Sequence, residues 1–394
     1  MIQWKSLAVT ACIAVTTAGA AVAQEMIVEK RTFSMPSYTT VGGETIKDVK
    51  VGWEAYGTLD ADKSNAILIN HFFSGNSHAA GKYKPDDKVP GYWDAIIGPG
   101  KAIDTNKYYV ISSDTLVNLN TGLAPTVTTG PATVNPDTGK PYGTSFPVVS
   151  IADFVRVEKA LVESLGIKKL RMVGGASMGA LQTYEWAASN PDMVDRIMPV
   201  IGTAFAGDFL VGWLDVWADP IRVDAKWNGG DYYGKEPPIA GLAAALKVVS
   251  HHASHAEITE EVNAGAWADP AKDPAKGFGD KFKVQASLDA AGLIRAKVSD
   301  ANHFLYLVKA NQLYAPGGAK SLDEAAAKIK APALVIYQPK DLVFPGAAVE
   351  ATIAALKKAG NPVQSFVLQG KRGHLDGVLS MAQAADTIRA FVDK

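Results

Sequence analysis

The fold of this chain is decided by the segment Leu170–Ser189, which reads LRMVGGASMGALQTYEWAAS. The apolar run Leu170–Val173 predicts a buried strand, and Met178–Ser189 predicts a helix. Between them, Gly175–Gly179 reads GASMG. A serine with a small residue two positions before and after it, between a strand and a helix, is typical of a nucleophile elbow. We therefore expect the Ser177 hydroxyl to project from the end of the strand as a nucleophile.

The alternation of strand and helix recurs along the chain. Short apolar runs bounded by turn residues predict further buried parallel strands at Ala66–Asn70, Tyr108–Ser112, Ile197–Ile201, Ala333–Tyr337 and Ser365–Leu368. Apolar residues at helical spacing predict a helix over Ile151–Leu165, which Gly166 ends. This alternation indicates an α/β fold with a mostly parallel, doubly wound sheet.

The strand pattern stops between residues 203 and 321. This stretch contains Ala-rich segments with helical character, Ile239–Ser250 and Asn302–Tyr314, and loops such as Asp269–Gly279. Because the strand pattern resumes afterwards, we interpret residues 203–321 as an inserted helical lid and not as a separate domain. The core then consists of residues 24–202 and 322–394.

The N-terminus has the pattern of a secretory signal peptide. Residues 1–5 contain one lysine and precede Ser6–Thr17, a run of mostly small and apolar residues. Ala21-Val22-Ala23 then provides a small-x-small cleavage site. We predict that residues 1–23 are removed and that the mature protein is exported, to the periplasm or out of the cell. A lipoprotein box at Val9–Cys12 fits less well, because the apolar run continues past it and too little chain precedes it.

The composition excludes several classes of function. The only cysteine, Cys12, lies in the leader, so we expect neither disulfides nor thiolate chemistry in the mature chain. A net charge of −1 with 47% hydrophobic residues is typical of a globular protein without an electrostatic footprint for nucleic acid or membranes. We therefore predict no nucleic-acid partner, no membrane association after cleavage, and no cofactor or metal.

A serine hydroxyl needs a base that takes its proton. His374 is the last histidine of the chain and follows the last predicted strand on a glycine-flanked loop. Asp341 follows the strand Ala333–Tyr337, where its carboxylate would accept from His374 and hold the ring in one tautomer. This order of serine, acid and histidine is that of the α/β-hydrolase fold. Asp376 stays open as an alternative partner of His374.

Acyl transfer also needs donors for the oxyanion. The amide of Met178, at the start of its helix, is one candidate, and the loop after Ala66–Asn70 provides Phe73 as the second. His71 and His78 lie in the same loop but precede the serine, against the usual order. We interpret them as residues that shape the loop or the pocket.

Two groups of residues lie in the predicted lid. His251, His252 and His255 include a pair at i and i+4 that could bind a metal, but no H-E-x-x-H carboxylate accompanies them, so we interpret the segment as a solvated helix. Three tryptophans either line the substrate pocket or pack inside the lid, namely Trp213, Trp217 and Trp227. Our candidates for the pocket are Trp217, Tyr232, Leu375 and Asp376.

Taken together, the segments resemble the homoserine O-acetyltransferase family. The similarity runs in order from about Trp53 to the C-terminus. The segments that carry it are Ser74–Gly81, Trp93-Asp94, Ile97–Gly100, Thr129–Pro131, Asn135–Gly143, Phe146–Val149, Asp153, Arg156, Gly174–Gly179, Gly230–Tyr233 and Asp300–Tyr306. The resemblance implies an α/β-hydrolase fold and a helical lid that often mediates a homodimer. It also implies a catalytic triad of Ser177, Asp341 and His374, with Phe73 and Met178 as oxyanion donors.

The sequence departs from the family pattern at two charged positions. The family's arginine for the homoserine carboxylate aligns with Ala218, and Arg222 lies one helical turn away. The family's aspartate after the catalytic histidine, which receives the substrate ammonium, is Leu375, with Asp376 shifted by one. A methyl group or an isobutyl group cannot replace these charged partners, which are worth several kcal/mol in the usual range for charged hydrogen bonds.

These departures and the predicted export, away from cytosolic acyl-coenzyme A, favour water as the acyl acceptor. We therefore predict an exported serine esterase that hydrolyses small acyl esters through an acyl-enzyme. One alternative is a homoserine O-acetyltransferase that depends on acyl-coenzyme A. An alternative of another class is a non-catalytic binding protein on a hydrolase scaffold.

Overall fold

The computed structural model describes residues 26–394, and the predicted signal peptide, residues 1–23, lies outside them. An eight-stranded sheet has the order β1-β2-β6-β3-β7-β8-β9-β10, and β4 and β5 form a separate pair. The strands are β1 Arg31–Thr39, β2 Thr45–Tyr56, β3 Ala66–Asn70, β4 Ile97–Gly98, β5 Ile103–Asp104, β6 Tyr109–Ser113, β7 Met172–Ala176, β8 Ile197–Val200, β9 Ala333–Tyr337 and β10 Val363–Val367.

The sheet is parallel from β6 to β10. Within the large sheet of the described residues, the pairs β1–β2 and β2–β6 are antiparallel and the other neighbours pair in parallel. Parallel neighbours need crossover connections, and helices supply them. The prediction of an α/β fold with a mostly parallel, doubly wound sheet is confirmed.

Helices cover both faces of the sheet. In β3, Leu68 packs in the layer that includes α1 and α2, whereas Ile67 and Ile69 belong to the layer that includes α11, because successive side chains of a strand point to opposite faces. The α-helices are α1 Ile151–Ser164, α2 Met178–Ser189, α3 Asp208–Arg222, α4 Ile239–His252, α5 Ala256–Asn263, α6 Lys283–Ala296, α7 Ala301–Gln312, α8 Leu322–Lys328, α9 Gly346–Lys358, α10 Asp376–Leu379 and α11 Ala385–Val392.

The largest shift between a predicted and an observed strand is at β7. We predicted the strand over Leu170–Val173, but Leu170 forms only an isolated bridge to Val194. The strand continues through Gly174 and Gly175 to Ala176, which pair with β8. Glycine has low strand propensity, so the sequence pattern ended the strand too early. The strand therefore leads directly into Ser177.

Helices α3 to α7 all lie between β8 and β9. Side chains from α3, α4 and α6 line the same cavity as the loops after β3 and β7, so this helical insertion covers the carboxyl edge of the sheet. The sequence predicted α4 and α7 but missed α3, α5 and α6. Over residues 26–394, no helix is both long enough and apolar enough to cross a membrane.

Candidate active site

The turn between β7 and α2 holds Ser177 in an unusual backbone conformation. Its φ is 57° and its ψ is −118°, a region that residues with a side chain rarely occupy. Its amide donates to the carbonyl oxygen of Val200 on the neighbouring strand at 2.9 Å, which fixes the turn against the sheet. Such strain persists only where the surrounding structure imposes it, and it accumulates at functional sites.

The two glycines around the serine are required by the closeness of β3. A Cβ atom on Gly179 would lie 2.2 Å from the carbonyl oxygen of Asn70, and one on Gly175 would lie 2.6 Å from the same atom. Backbone atoms cannot move away as a flexible side chain can. The GASMG pattern therefore follows from the close packing of the elbow on the end of β3.

Three side chains from separate loops form a continuous hydrogen-bonded series. The Nε2 atom of His374 lies 2.9 Å from the Ser177 hydroxyl oxygen, and its Nδ1 atom lies 2.7 Å from Oδ2 of Asp341. The second Asp341 oxygen accepts the amides of Val343 at 2.8 Å and Phe344 at 3.0 Å. A carboxylate held in this way accepts the Nδ1 proton, so that Nε2 is left to accept the serine proton.

Asp376 lies away from this series. Its carboxylate accepts the Gln338 amide at 3.0 Å, the Arg372 backbone amide at 3.1 Å and the Ser380 hydroxyl at 2.7 Å. The side chain is fully buried by these partners and does not line the cavity. The suggestion that it orients His374, or that it lines the pocket, is therefore corrected: Asp376 is the first residue of α10, and its carboxylate is engaged by these three donors while Asp341 bonds the ring.

Two backbone amides near the serine have no acceptor within residues 26–394. They belong to Phe73, in the loop after β3, and to Met178, the first residue of α2. The loop that carries Phe73 is held by His71, whose Nδ1 donates to the Phe72 carbonyl at 2.8 Å and whose Nε2 accepts the Thr115 amide at 3.3 Å. Free amides at a helix start and an adjacent loop are suited to bind an oxyanion.

Ser177 opens onto a mostly apolar cavity of about 290 Å³. Trp217 and Leu375 are on its wall, as we expected from the sequence. Tyr232 is not, because it is buried in the helical insertion and its hydroxyl donates to Asp300 at 2.8 Å. Tyr232 is therefore corrected from a pocket residue to one that packs the insertion around the start of α7.

The three tryptophans have different surroundings. Trp217 lines the cavity, and Trp213 lines a second cavity of about 640 Å³ that shares Leu288 and Ser254 with the first. Trp227 donates to Asn302 at 2.9 Å within the insertion. Of the two interpretations left open by the sequence, lining of a cavity applies to Trp217 and Trp213, and packing inside the insertion applies to Trp227.

The solvated-helix interpretation is wrong for His252. This residue is buried and stacks on Trp213, with 4.0 Å between the ring centroids. Its Nδ1 accepts the Trp217 indole proton at 3.1 Å, and its Nε2 donates to the Leu342 carbonyl at 3.0 Å. Burial lowers the pKa of His252, which favours the neutral ring that this pattern requires. His252 therefore connects the wall of the cavity to the loop that carries the carboxylate at position 341.

One charged residue on the described part of the wall, Arg295 of α6, was not predicted from the sequence. Its Nη1 donates to the Ser250 hydroxyl of α4 at 2.7 Å. Arg295 follows Leu288 by seven residues, which is two helical turns, so both face the cavity. That spacing was a usable signal, but α6 itself was not predicted.

Comparison with known proteins agrees with this geometry. A homoserine O-acetyltransferase of Methanosphaerula palustris is 38% identical over 351 residues, which cover 89% of this chain and 70% of that protein. The chain belongs to the homoserine O-acetyltransferase family. A crystal structure of the family member from Bacillus anthracis is 33% identical, with a TM-score of 0.89 over 94% of this chain and 98% of that one. No family model matches the chain.

A crystal structure of esterase E22 is more similar in sequence than these homoserine O-acetyltransferases. It is 46% identical, with a TM-score of 0.90, and the alignment covers 93% of this chain and 100% of that one. The fold is the α/β-hydrolase fold, as the elbow and the order of residues predicted. Members of the homoserine O-acetyltransferase family and their esterase neighbours are acyl-transfer enzymes, and this chain is an enzyme of that general class.

Proposed function

We propose that this chain is an esterase that hydrolyses small acyl esters through an acyl-enzyme. The observation that carries the proposal is the hydrogen-bonded series from Ser177 through His374 to Asp341, at the floor of an apolar cavity. A nucleophile, a base and a carboxylate at hydrogen-bonding distance are what acyl transfer needs.

In the first half-reaction, Nε2 of His374 takes the hydroxyl proton while the Ser177 oxygen bonds to the ester carbonyl carbon. The carbonyl oxygen becomes an oxyanion, and the free amides of Phe73 and Met178 stabilise it. Asp341 stabilises the imidazolium that forms. When the tetrahedral intermediate collapses, the bond to the alcohol breaks and His374 returns the proton to the leaving oxygen.

The second half-reaction is the reverse with water. His374 takes a proton from the water molecule, whose oxygen bonds to the acyl carbon. The bond to the Ser177 oxygen then breaks, and this oxygen recovers the proton. The products are a carboxylic acid and the original enzyme.

The surroundings of the serine favour water over homoserine as the acceptor. Ala218 is fully buried in α3, and the cavity wall presents Leu375 where the resemblance expects an aspartate. Among residues 26–394 no acidic side chain lines the cavity, so the ammonium of a bound amino acid would stay unpaired. Family membership favours the second candidate function, acetyl transfer from acyl-coenzyme A to homoserine.

The purified enzyme is expected to release acetate and p-nitrophenol from p-nitrophenyl acetate at a rate that homoserine does not change. The reason is that water resolves the acyl-enzyme when no charged partner holds the amino acid. Chromatography of the products, with acetyl-coenzyme A tested as a second donor, distinguishes acetate from O-acetylhomoserine. Turnover that depends on homoserine, with little hydrolysis, would refute the esterase proposal in favour of the transferase.

We also propose that the protein is exported and that cleavage follows Ala23. The support is the leader pattern of residues 1–23. Expression of the full chain in a bacterial host, followed by cell fractionation and mass spectrometry, should give a periplasmic or secreted product that begins at Gln24. An N-terminus at Met1 would contradict export, and an acylated Cys12 would identify a lipoprotein instead.

The homodimer stays a proposal. It rests on the family resemblance and on exposed apolar side chains of α3, such as Phe209 and Val216. Light scattering on the purified protein would detect it as twice the mass of the single chain.

A further inference from the structure

In the described part of the chain, one permanently charged side chain lines the cavity at Ser177. Most of its wall is apolar, with residues such as Phe73, Trp217, Leu288 and Leu375, and the remaining polar groups are serine hydroxyls and His374. Arg295 projects into this wall from α6, between helices of the insertion. Substrate cavities are mostly apolar, and the few charged groups on their walls commonly fix the orientation of the ligand.

Arg295 has no counter-charge among the residues that the structure describes. Within residues 26–394 no carboxylate lies within ion-pair distance of its guanidinium, and the only hydrogen bond of the side chain is the one from Nη1 to the Ser250 hydroxyl at 2.7 Å. A guanidinium has five N–H donors, so most of them remain available. Burial without a compensating anion lowers the pKa of Arg295, yet an arginine stays protonated at neutral pH. The charge is therefore retained and uncompensated.

We propose that Arg295 binds a carboxylate carried by the ester substrate, so that the enzyme prefers anionic esters over neutral ones. The planar fork of N–H groups matches a carboxylate, and a partly buried site strengthens the contact. The cavity wall, as far as the structure describes it, has no acidic residue to receive an ammonium, so an anionic ester fits it and a zwitterionic amino acid does not. This inference rests on the proposed esterase function and names its class of substrate.

A purely structural role for Arg295 is poorly supported by its neighbours. Helices α4 and α6 are already joined by the ion pair from Lys247 to Asp289 at 2.6 Å. They also approach closely at Gly292, where a Cβ atom would lie 2.4 Å from the carbonyl oxygen of Ala243. The helix pair thus has contacts of its own, and the hydrogen bond to Ser250 needs only a neutral donor.

The test compares matched esters that differ only in charge. On the acyl side, p-nitrophenyl monoglutarate is paired with p-nitrophenyl 5-methylhexanoate, in which an isopropyl group replaces the carboxylate. On the alcohol side, 4-acetoxybenzoate is paired with 4-isopropylphenyl acetate. The readout is the ratio of kcat/KM for the anionic ester to that for the neutral ester. Wild-type enzyme should favour the anionic ester in one arm, which also tells which end of the substrate faces the guanidinium.

In Arg295→Gln this ratio should fall by about 10- to 100-fold, the range expected for one hydrogen bond to a charged group. Arg295→Lys, which keeps the charge, should restore part of the ratio. The matched control is Arg222→Gln, because Arg222 is paired with Asp215 at 2.7 Å and lies outside the cavity; its ratio should equal that of the wild type. A structural role alone would lower kcat/KM for both esters by the same factor.

The inference would be overturned if Arg295→Gln lowered kcat/KM for both esters by the same factor. It would also be overturned if the wild type showed no preference for the anionic ester in either arm. Hydrolysis of p-nitrophenyl acetate, measured alongside, reports on the esterase proposal independently. Calorimetric titration with glutarate measures anion binding independently of catalysis. Binding that Arg295→Gln abolishes would support the anion site even if esterase activity were missing, and equal or absent binding in that case would overturn it.

Discussion

Replacement of Ser177 by alanine is expected to lower kcat for p-nitrophenyl acetate by about 10⁵- to 10⁶-fold, the usual cost of removing the nucleophile of such a series. The fold should persist, because among the described residues the hydroxyl oxygen is hydrogen-bonded to the His374 ring alone, and the turn is held by the hydrogen bond from the Ser177 amide to the Val200 carbonyl. Steady-state kinetics measure the loss, and thermal unfolding verifies that the melting temperature is retained. The matched control is Ser189→Ala, at the far end of α2, which should keep the wild-type rate.

A fluorophosphonate probe extends this prediction to the binding-protein alternative. The probe should add one phosphonyl group to the wild type and to Ser189→Ala, and none to Ser177→Ala, as measured by intact mass. The reason is that only a hydroxyl whose proton a base can take attacks the phosphorus atom. A wild type that stays unlabelled and inactive would favour a non-catalytic binding protein on this scaffold. An adduct that persists in Ser177→Ala would place the nucleophile elsewhere.

The convergence of the three loops was predictable because it follows from the topology. Parallel strands bring their carboxyl ends to one edge of the sheet, and Ser177, Asp341 and His374 each follow such an end. The local pattern of glycines gave the elbow, since a close approach to β3 leaves no room for a side chain at Gly175 or Gly179. These features depend on short segments whose chemistry is unambiguous.

The wall of the cavity was less predictable because it depends on how the helical insertion lies over the sheet. Tyr232 and Asp376 are polar residues next to sequence motifs, yet both are bonded elsewhere. His252 was instead interpreted as solvated, and Arg295 was not predicted at all. Each lines a cavity to which α3, α4 and α6 all contribute side chains, so its position depends on how these helices pack against one another. Periodicity identifies a face of a helix, but it does not tell which partner covers that face.

Mutation should distinguish the roles of the two carboxylates that the sequence offered as partners of His374. Asp341→Asn is expected to lower kcat by about 10⁴-fold, because a neutral amide neither stabilises the imidazolium nor enforces the tautomer with a proton on Nδ1. The melting temperature of this variant should stay close to that of the wild type. Steady-state kinetics across a range of pH, together with thermal unfolding, measure both quantities.

Asp376→Asn should show the reverse pattern. Its carboxylate accepts three hydrogen bonds in a fully buried position, so the amide leaves at least one donor without an acceptor and destabilises the fold by about 1–3 kcal/mol. The kcat of the folded variant should stay within about tenfold of the wild type, since the residue touches neither the ring nor the cavity and loses no contact made only in the transition state. A loss of kcat in Asp376→Asn as large as in Asp341→Asn, without loss of stability, would reverse the assignment. The two variants therefore distinguish Asp341, which positions the His374 ring, from Asp376, which stabilises the loop that carries His374.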